Sequence, residues 1–150
     1  MKRGIVLGLA LAFAFAGARA QEKVSSTQGK AGAPAAVTLK GFIVDQSCGK
    51  GMSRKDNPMQ RAASHSRDCA LEDACSGSGY GIFSDGKWYT FDKNGSKMVK
   101  ESVEKDKRER ALAYEVTGTL DGTSLTLASL KATSMQAPPA KKEQKPTEMK

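Results

Sequence analysis

The order of elements in this chain predicts a mainly β domain with one or two short helices, closed as a small five-stranded barrel of the oligonucleotide/oligosaccharide-binding type. Three observations carry that expectation. Two runs rich in aromatic and β-branched residues each turn on an Asp-Gly dipeptide, at 80–92 and 113–130. A further strand-like run precedes them at 37–45, and a charged helical stretch separates the two hairpins. Strand, strand, strand, helix, strand, strand is the order of such a barrel, whose helix falls between strands three and four.

Each element has its own signal. "VTLKGFIVD" (37–45) is β-branched and apolar, and Gly41 in its middle marks a bulge or bend. "YGIFSDGKWYTFD" (80–92) pairs two aromatic runs about Asp85-Gly86, a dipeptide suited to a tight primed turn. "AYEVTGTLDGTSLTLASL" (113–130) repeats the device about Asp121-Gly122, which sets Val116 opposite Leu127 and Gly118 opposite Leu125. Between the hairpins, "GSKMVKESVEKDKRERA" has Ser96 as a candidate cap and an apolar stripe of Met98, Val99 and Val103 alone, so its helix is mostly exposed. The stretch from Cys48 to Gly79 becomes an insertion between strands one and two. "NPMQRAASHSRDCALEDA" within it predicts one short helix over about 58–72.

The ends of the chain bear on compartment. "MKRGIVLGLALAFAFAGARA" has a basic start, an apolar run and a small-x-small site, the layout of a signal peptide cleaved after Ala20. The apolar run is shorter than the roughly 20 residues of a spanning helix. A periplasmic or secreted location follows. Residues 21–36 read as a disordered linker and 135–150 as a disordered Lys/Pro-rich tail, because neither holds enough apolar surface to offset its ordering entropy. The domain is therefore 37–134.

The formal charge of +8 shrinks once the chain is divided this way, because the domain holds 15 basic against 13 acidic residues. Acids alternate with bases in "KESVEKDKRER", the pattern of a solvated helix face rather than a basic stripe for nucleic acid. The Lys-rich tail can touch anionic surfaces weakly. No specific nucleic acid is expected as a partner.

"HSRDCALEDAC" brings the single histidine and two of three cysteines into one short run, with Cys48 upstream in "VDQSCGKG". On a helix, His65 and Cys69 share a face, as two ligands of one ion would. Cys75 points elsewhere unless a turn near 72–74 returns it. Three readings of Cys48, His65, Cys69 and Cys75 stay open. Export to an oxidising compartment points first to a disulfide, with Cys48 bridged to Cys69 or Cys75. A Cys69–Cys75 bridge is out of reach on a continuous helix, whose rise puts their Cα atoms about 9 Å apart. Thiolates and an imidazole also suit a transition metal, copper or zinc. Thiol chemistry is the third, and the least supported.

Enzymatic signatures are weak. The chain has no C-x-x-C pair and no haem-attachment motif. Ser, His and Asp of "SHSRD" are crowded into one segment, unlike a triad drawn from separate parts of a fold. "GSGYG" precedes a strand, whereas a phosphate-cradling loop follows one. A non-enzymatic module is the expectation. Phe83 and Trp88, opposite each other in the first hairpin, offer a second candidate surface on which a polymer, glycan or protein partner can stack. The alternative is that both rings pack beneath the insertion.

"GFIVDQSCG", "HSRDCALEDAC", "SGYGIFSDGKWYTFD" and "VTGTLDGTSLTLASL", in that order, resemble a family of small exported bacterial proteins of uncharacterised function. Its marks are a G-x-x-x-D-x-x-C start, an H-x3-C-A element with a further Cys, a D-G-K-x-Y hairpin and a closing V-T-G-x-x-x-G hairpin. The resemblance covers about 39–131. In many relatives the last two cysteines stand closer together than Cys69 and Cys75. It implies a fold and a compartment, not a reaction.

Overall fold

The computed structural model describes residues 34–139. The signal peptide expected at 1–20, most of the 21–36 linker and the end of the tail lie outside these residues. Five strands make one mixed sheet: β1 (Ala35–Asp45), β2 (Tyr80–Ser84), β3 (Lys87–Phe91), β4 (Ala113–Asp121) and β5 (Ser124–Ala132). The ladder closes on itself in the order β1-β2-β3-β5-β4. Closure needs β3 to run parallel to β5, pairing Thr90 with Ser124 and Phe91 with Leu125. It also needs β1 to serve two neighbours. Its first part pairs with β4 as far as Phe42, and its last residues pair with β2.

Both hairpins form, and one departs from expectation. Asp85 (φ 50°) and Gly86 (φ 78°) make the turn of the first, with both residues left-handed as a type I′ turn requires. In the second, Asp121 pairs with Ser124, so Gly122 and Thr123 are the central residues. Gly122, at φ 60°, takes the left-handed position that Asp121 would otherwise hold. The register moves accordingly: Gly118 faces Leu127, and a bulge at Thr117/Gly118 sets Val116 opposite Leu130. The slip is an even number of residues near the turn, so Val116, Leu125 and Leu127 still share the buried side.

Five short helices, rather than one or two, join the strands. The insertion contains α1 (Gln46–Met52), α2 (Pro58–Ser64), α3 (Arg67–Leu71) and α4 (Asp73–Ser76), and α5 (Lys93–Lys105) lies between β3 and β4. The single helix expected over 58–72 is thus broken at His65, which is extended (φ −65°, ψ 129°), and again at Glu72. Helix α5 starts earlier than Ser96. Asp92 is its cap, accepting from the Gly95 amide at 2.8 Å, and the Ser96 hydroxyl accepts from the Tyr80 amide instead. No helix of the described residues is long and apolar enough to cross a membrane.

Two apolar clusters flank β1. Ile43, Ile82, Phe91, Val99, Val103, Leu112 and Leu125 belong to the main core, into which α5 inserts its two valines. Phe42, Val44, Met59, Ala62, Phe83 and Ala113 form the second, beneath α2. Each Val, Ile, Leu or Phe side chain fully buried in these clusters contributes about 1.5–3 kcal/mol. Phe83 is completely buried, and its ring centroid lies 4.6 Å from that of half-buried Trp88. The indole rests on Gly49 and Gly81, where an added Cβ would come within 2.4 and 2.5 Å of it. These rings are the second core, and Phe83 keeps no face on which a ligand could stack. The tail also joins this cluster: Met135 and Ala137 pack against it, and Gln60 donates to the Pro138 carbonyl at 2.9 Å.

A strap over 106–111 ties the insertion to the sheet. Arg67 donates its amide to Glu109 O and its guanidinium to Asp106 O, both at 2.8 Å, and the Ala111 amide donates to Ala63 O at 2.9 Å. Asp106 anchors the strap, accepting from Arg108 Nε at 2.9 Å and from the Tyr114 hydroxyl at 2.7 Å. The Arg108 bonds hold the Asp106 carboxyl well below the usual carboxylate range against the opposing effect of burial. That stabilisation is complete above about pH 4, where the unfolded carboxyl is ionised, and is lost as pH falls towards the folded-state pKa. Asp106→Asn should therefore cost about 2 kcal/mol at pH 7, discounted because Arg108 stays about a third exposed. Near pH 2 the difference should narrow, as urea unfolding at the two pH values will show.

Candidate metal centre

Three cysteines follow one local rule. Asp45 caps α1, its Oδ1 accepting from the Cys48 amide at 2.9 Å. Ser66 caps α3, its hydroxyl accepting from the Cys69 amide at 3.2 Å. Glu72 precedes α4, and its carbonyl accepts from the Cys75 amide at 2.9 Å. D-x-x-C, S-x-x-C and E-x-x-C thus place every sulfur at the third residue of a short helix. All three cysteines are half-buried free thiols. No disulfide holds the insertion down. Capping bonds, the strap and the Tyr80 hydroxyl do so, the last donating to Ala70 O at 2.7 Å.

The structure brings Cys48, His65 and Cys69 together and adds Asp45. One ligand atom from each of Asp45, Cys48, His65 and Cys69 lies within 4.8 Å of all the others. Asp45 is completely buried and the His65 side chain is 4% exposed. Asp45 Oδ2 and His65 Nε2 are 3.1 Å apart, yet neither makes a hydrogen bond of acceptable geometry, and His65 Nδ1 is also unpartnered. A buried polar atom left unsatisfied costs about 1–3 kcal/mol. An ion bonded at about 2.0 Å to nitrogen and oxygen in tetrahedral array would hold them about 3.3 Å apart, close to the observed spacing. The residues fit a transition metal.

Cys75 belongs to a neighbouring group. The sulfurs of Cys69 and Cys75 and a Glu72 oxygen also lie mutually within 4.8 Å. The helix break at Glu72 makes this approach, and it removes the separation that a continuous helix would impose.

Charge in the site follows from burial. Burial alone would raise the Asp45 carboxyl, but His65 beside it and the Cys48 amide outweigh that and hold it below the usual carboxylate range. Burial, then the Asp45 charge, pushes the Cys48 thiol up to about 12. The same causes raise Cys75. Without a cation, Asp45 is the anion of the cluster and Cys48 is a neutral thiol. A divalent ion held there would favour the Cys48 thiolate beside the Asp45 carboxylate.

Sequence reading missed Asp45 and Glu72 as site residues. The signal for Asp45 was present in D-x-x-C, where a carboxylate that caps with one oxygen has its second free. No family model matches the chain, and neither a curated protein nor a solved structure matches it.

Proposed function

We propose that this protein is an exported, non-enzymatic metal-binding module: a small barrel of the oligonucleotide/oligosaccharide-binding type that holds one transition-metal ion through Asp45, Cys48, His65 and Cys69. The buried Asp45–His65 pair, its facing atoms 3.1 Å apart without a well-formed hydrogen bond and its Nδ1 unpartnered, set beside two thiols, is the observation that carries this reading. Zinc suits the set best, since it accepts carboxylate, imidazole and thiolate together, whereas copper(I) favours sulfur alone. Four protein donors would close the coordination sphere, as in zinc sites that bind without catalysing. The three-part N-terminus supports export, and the motif order supports kinship with small exported bacterial proteins.

Native mass spectrometry and elemental analysis of the mature chain should find one ion per molecule. Affinity should rise with pH. The Cys48 thiol, pushed up to about 12 without metal, must release its proton to bind. Each thiol that ionises on binding adds about tenfold in affinity per pH unit through the neutral range. A chain purified without ion, and indifferent to zinc or copper in titration at pH 8, would overturn the proposal.

A further inference from the structure

We propose that Cys75, with Glu72, is the docking group through which the ion enters and leaves the inner site, and that Cys69 carries it between the two. This rests on the metal-binding reading above. Cys69 alone belongs to both ligand groups, each of which packs its donor atoms within 4.8 Å. The groups differ in access. Asp45 is completely buried and the His65 imidazole almost so, whereas Glu72 is exposed and Cys75 half-exposed. Cys48 and Cys69 are half-buried like Cys75, so Glu72 is the one exposed donor of the two groups, and an ion approaching from solvent meets its carboxylate first, beside Cys75 and Cys69.

Local structure brings Cys75 to Cys69. Glu72 ends α3 and opens α4 in one residue (φ −56°, ψ 137°), folding the chain so that two cysteines six apart become neighbours. Cys75 belongs to neither apolar cluster and is not disulfide-bonded. Its place against Cys69 is what the break produces.

The exchange is a ligand substitution without redox change. A hydrated zinc(II) ion loses water to the Glu72 carboxylate and to the Cys75 and Cys69 thiols, each thiol giving its proton to solvent. Asp45, Cys48 and His65 then replace Glu72 and Cys75 while the Cys69–zinc bond persists; the Cys48 thiol gives up its proton as it binds, and the departing Cys75 thiolate takes one up. Release runs the same steps in reverse. At least one sulfur holds the ion throughout.

The test is metal transfer from zinc-loaded full-length protein to an excess of a chromogenic chelator, followed by stopped flow, for wild type, Cys75→Ser and Glu72→Gln. Both positions are at least partly exposed, and circular dichroism checks that the variants fold. Cys75→Ser should keep one zinc per chain with affinity within about threefold of wild type. Its release should slow by about tenfold, or about 1.4 kcal/mol on the barrier. Glu72→Gln should slow release less. A Cys75→Ser protein that releases zinc at the wild-type rate overturns the relay, as does one that loses its zinc, since Cys75 would then be an equilibrium ligand. A wild-type chain that takes up no zinc overturns the metal reading itself, a result read before any rate is measured.

Discussion

Asp45→Asn should empty the metal centre while leaving the fold intact. Asparagine is as good an N-cap as aspartate, so its carbonyl oxygen can still accept from the Cys48 amide, now held at 2.9 Å. Its amide nitrogen would replace Oδ2 beside His65 Nε2, 3.1 Å away, and could donate to that unpartnered nitrogen. The metal-free variant should therefore fold and melt close to, or a little below, the wild-type temperature, because the carboxylate charge that His65 favours is lost. Zinc affinity should fall by at least about 100-fold, more than the 10–100-fold typical of losing an outer partner, because an anionic ligand is lost outright. A saturating ion stabilises the native state by about 4 kcal/mol at a thousand times its Kd, so wild type should gain many degrees on adding zinc and the variant almost none. The Cys48 thiol gives a second readout. The Asp45 charge is among the causes that raise it, so in the variant it should ionise at lower pH, visible as faster alkylation. A variant that binds zinc as wild type does would remove Asp45 from the site.

Gly41→Ala should prevent folding, or come close to it. Gly41 lies where β1 passes from β4 to β2, one residue before Phe42, which pairs with Ala113 on one side and Phe83 on the other. A Cβ at this position would sit 1.9 Å from the Phe83 carbonyl oxygen and 2.7 Å from its carbon. The nearest obstructing atoms are β2 backbone, which has no flexible end to move aside. Relief requires parting β1 from β2, which opens both apolar clusters and displaces Asp45 four residues on. A cost of about 3 kcal/mol or more is expected, at the upper end for overpacking, and a domain of this size has little more to lose. Urea unfolding followed by Trp88 fluorescence will measure it. A variant as stable as wild type would mean that the close contact at β1 is not required.

Much of the architecture was legible from local chemistry. β-Branched and aromatic runs, the two Asp-Gly turns and the charged stretch before β4 determined strand order and the helix between strands three and four, because turn and strand preferences act over a few residues. Gly41 is needed for the close approach of the Phe83 backbone rather than for a bulge, since the pairing of β1 with β4 runs through it without a shift. Register was less accessible: Asp121-Gly122 and Gly122-Thr123 differ by one residue, and that choice depends on which residue must be left-handed. Grouping His65 with the cysteines came from their nearness in sequence, but the reason given for it, one helix face, was wrong. The strap, the Asp45 carboxylate and the break at Glu72 assemble the group instead.

By itself the sequence determined the strand pattern, the positions of the two hairpins and the chemical types available to a metal. Tertiary structure alone decided that the second Asp45 oxygen meets the buried His65 imidazole, and that Cys69 is shared between an inner and an outer group. The reason is range. Capping and turn chemistry are settled within three or four residues, whereas the contact between Asp45 and His65 joins the end of a strand to a helix break twenty residues away. That break is held by a strap another forty residues on, so no local window contains the information.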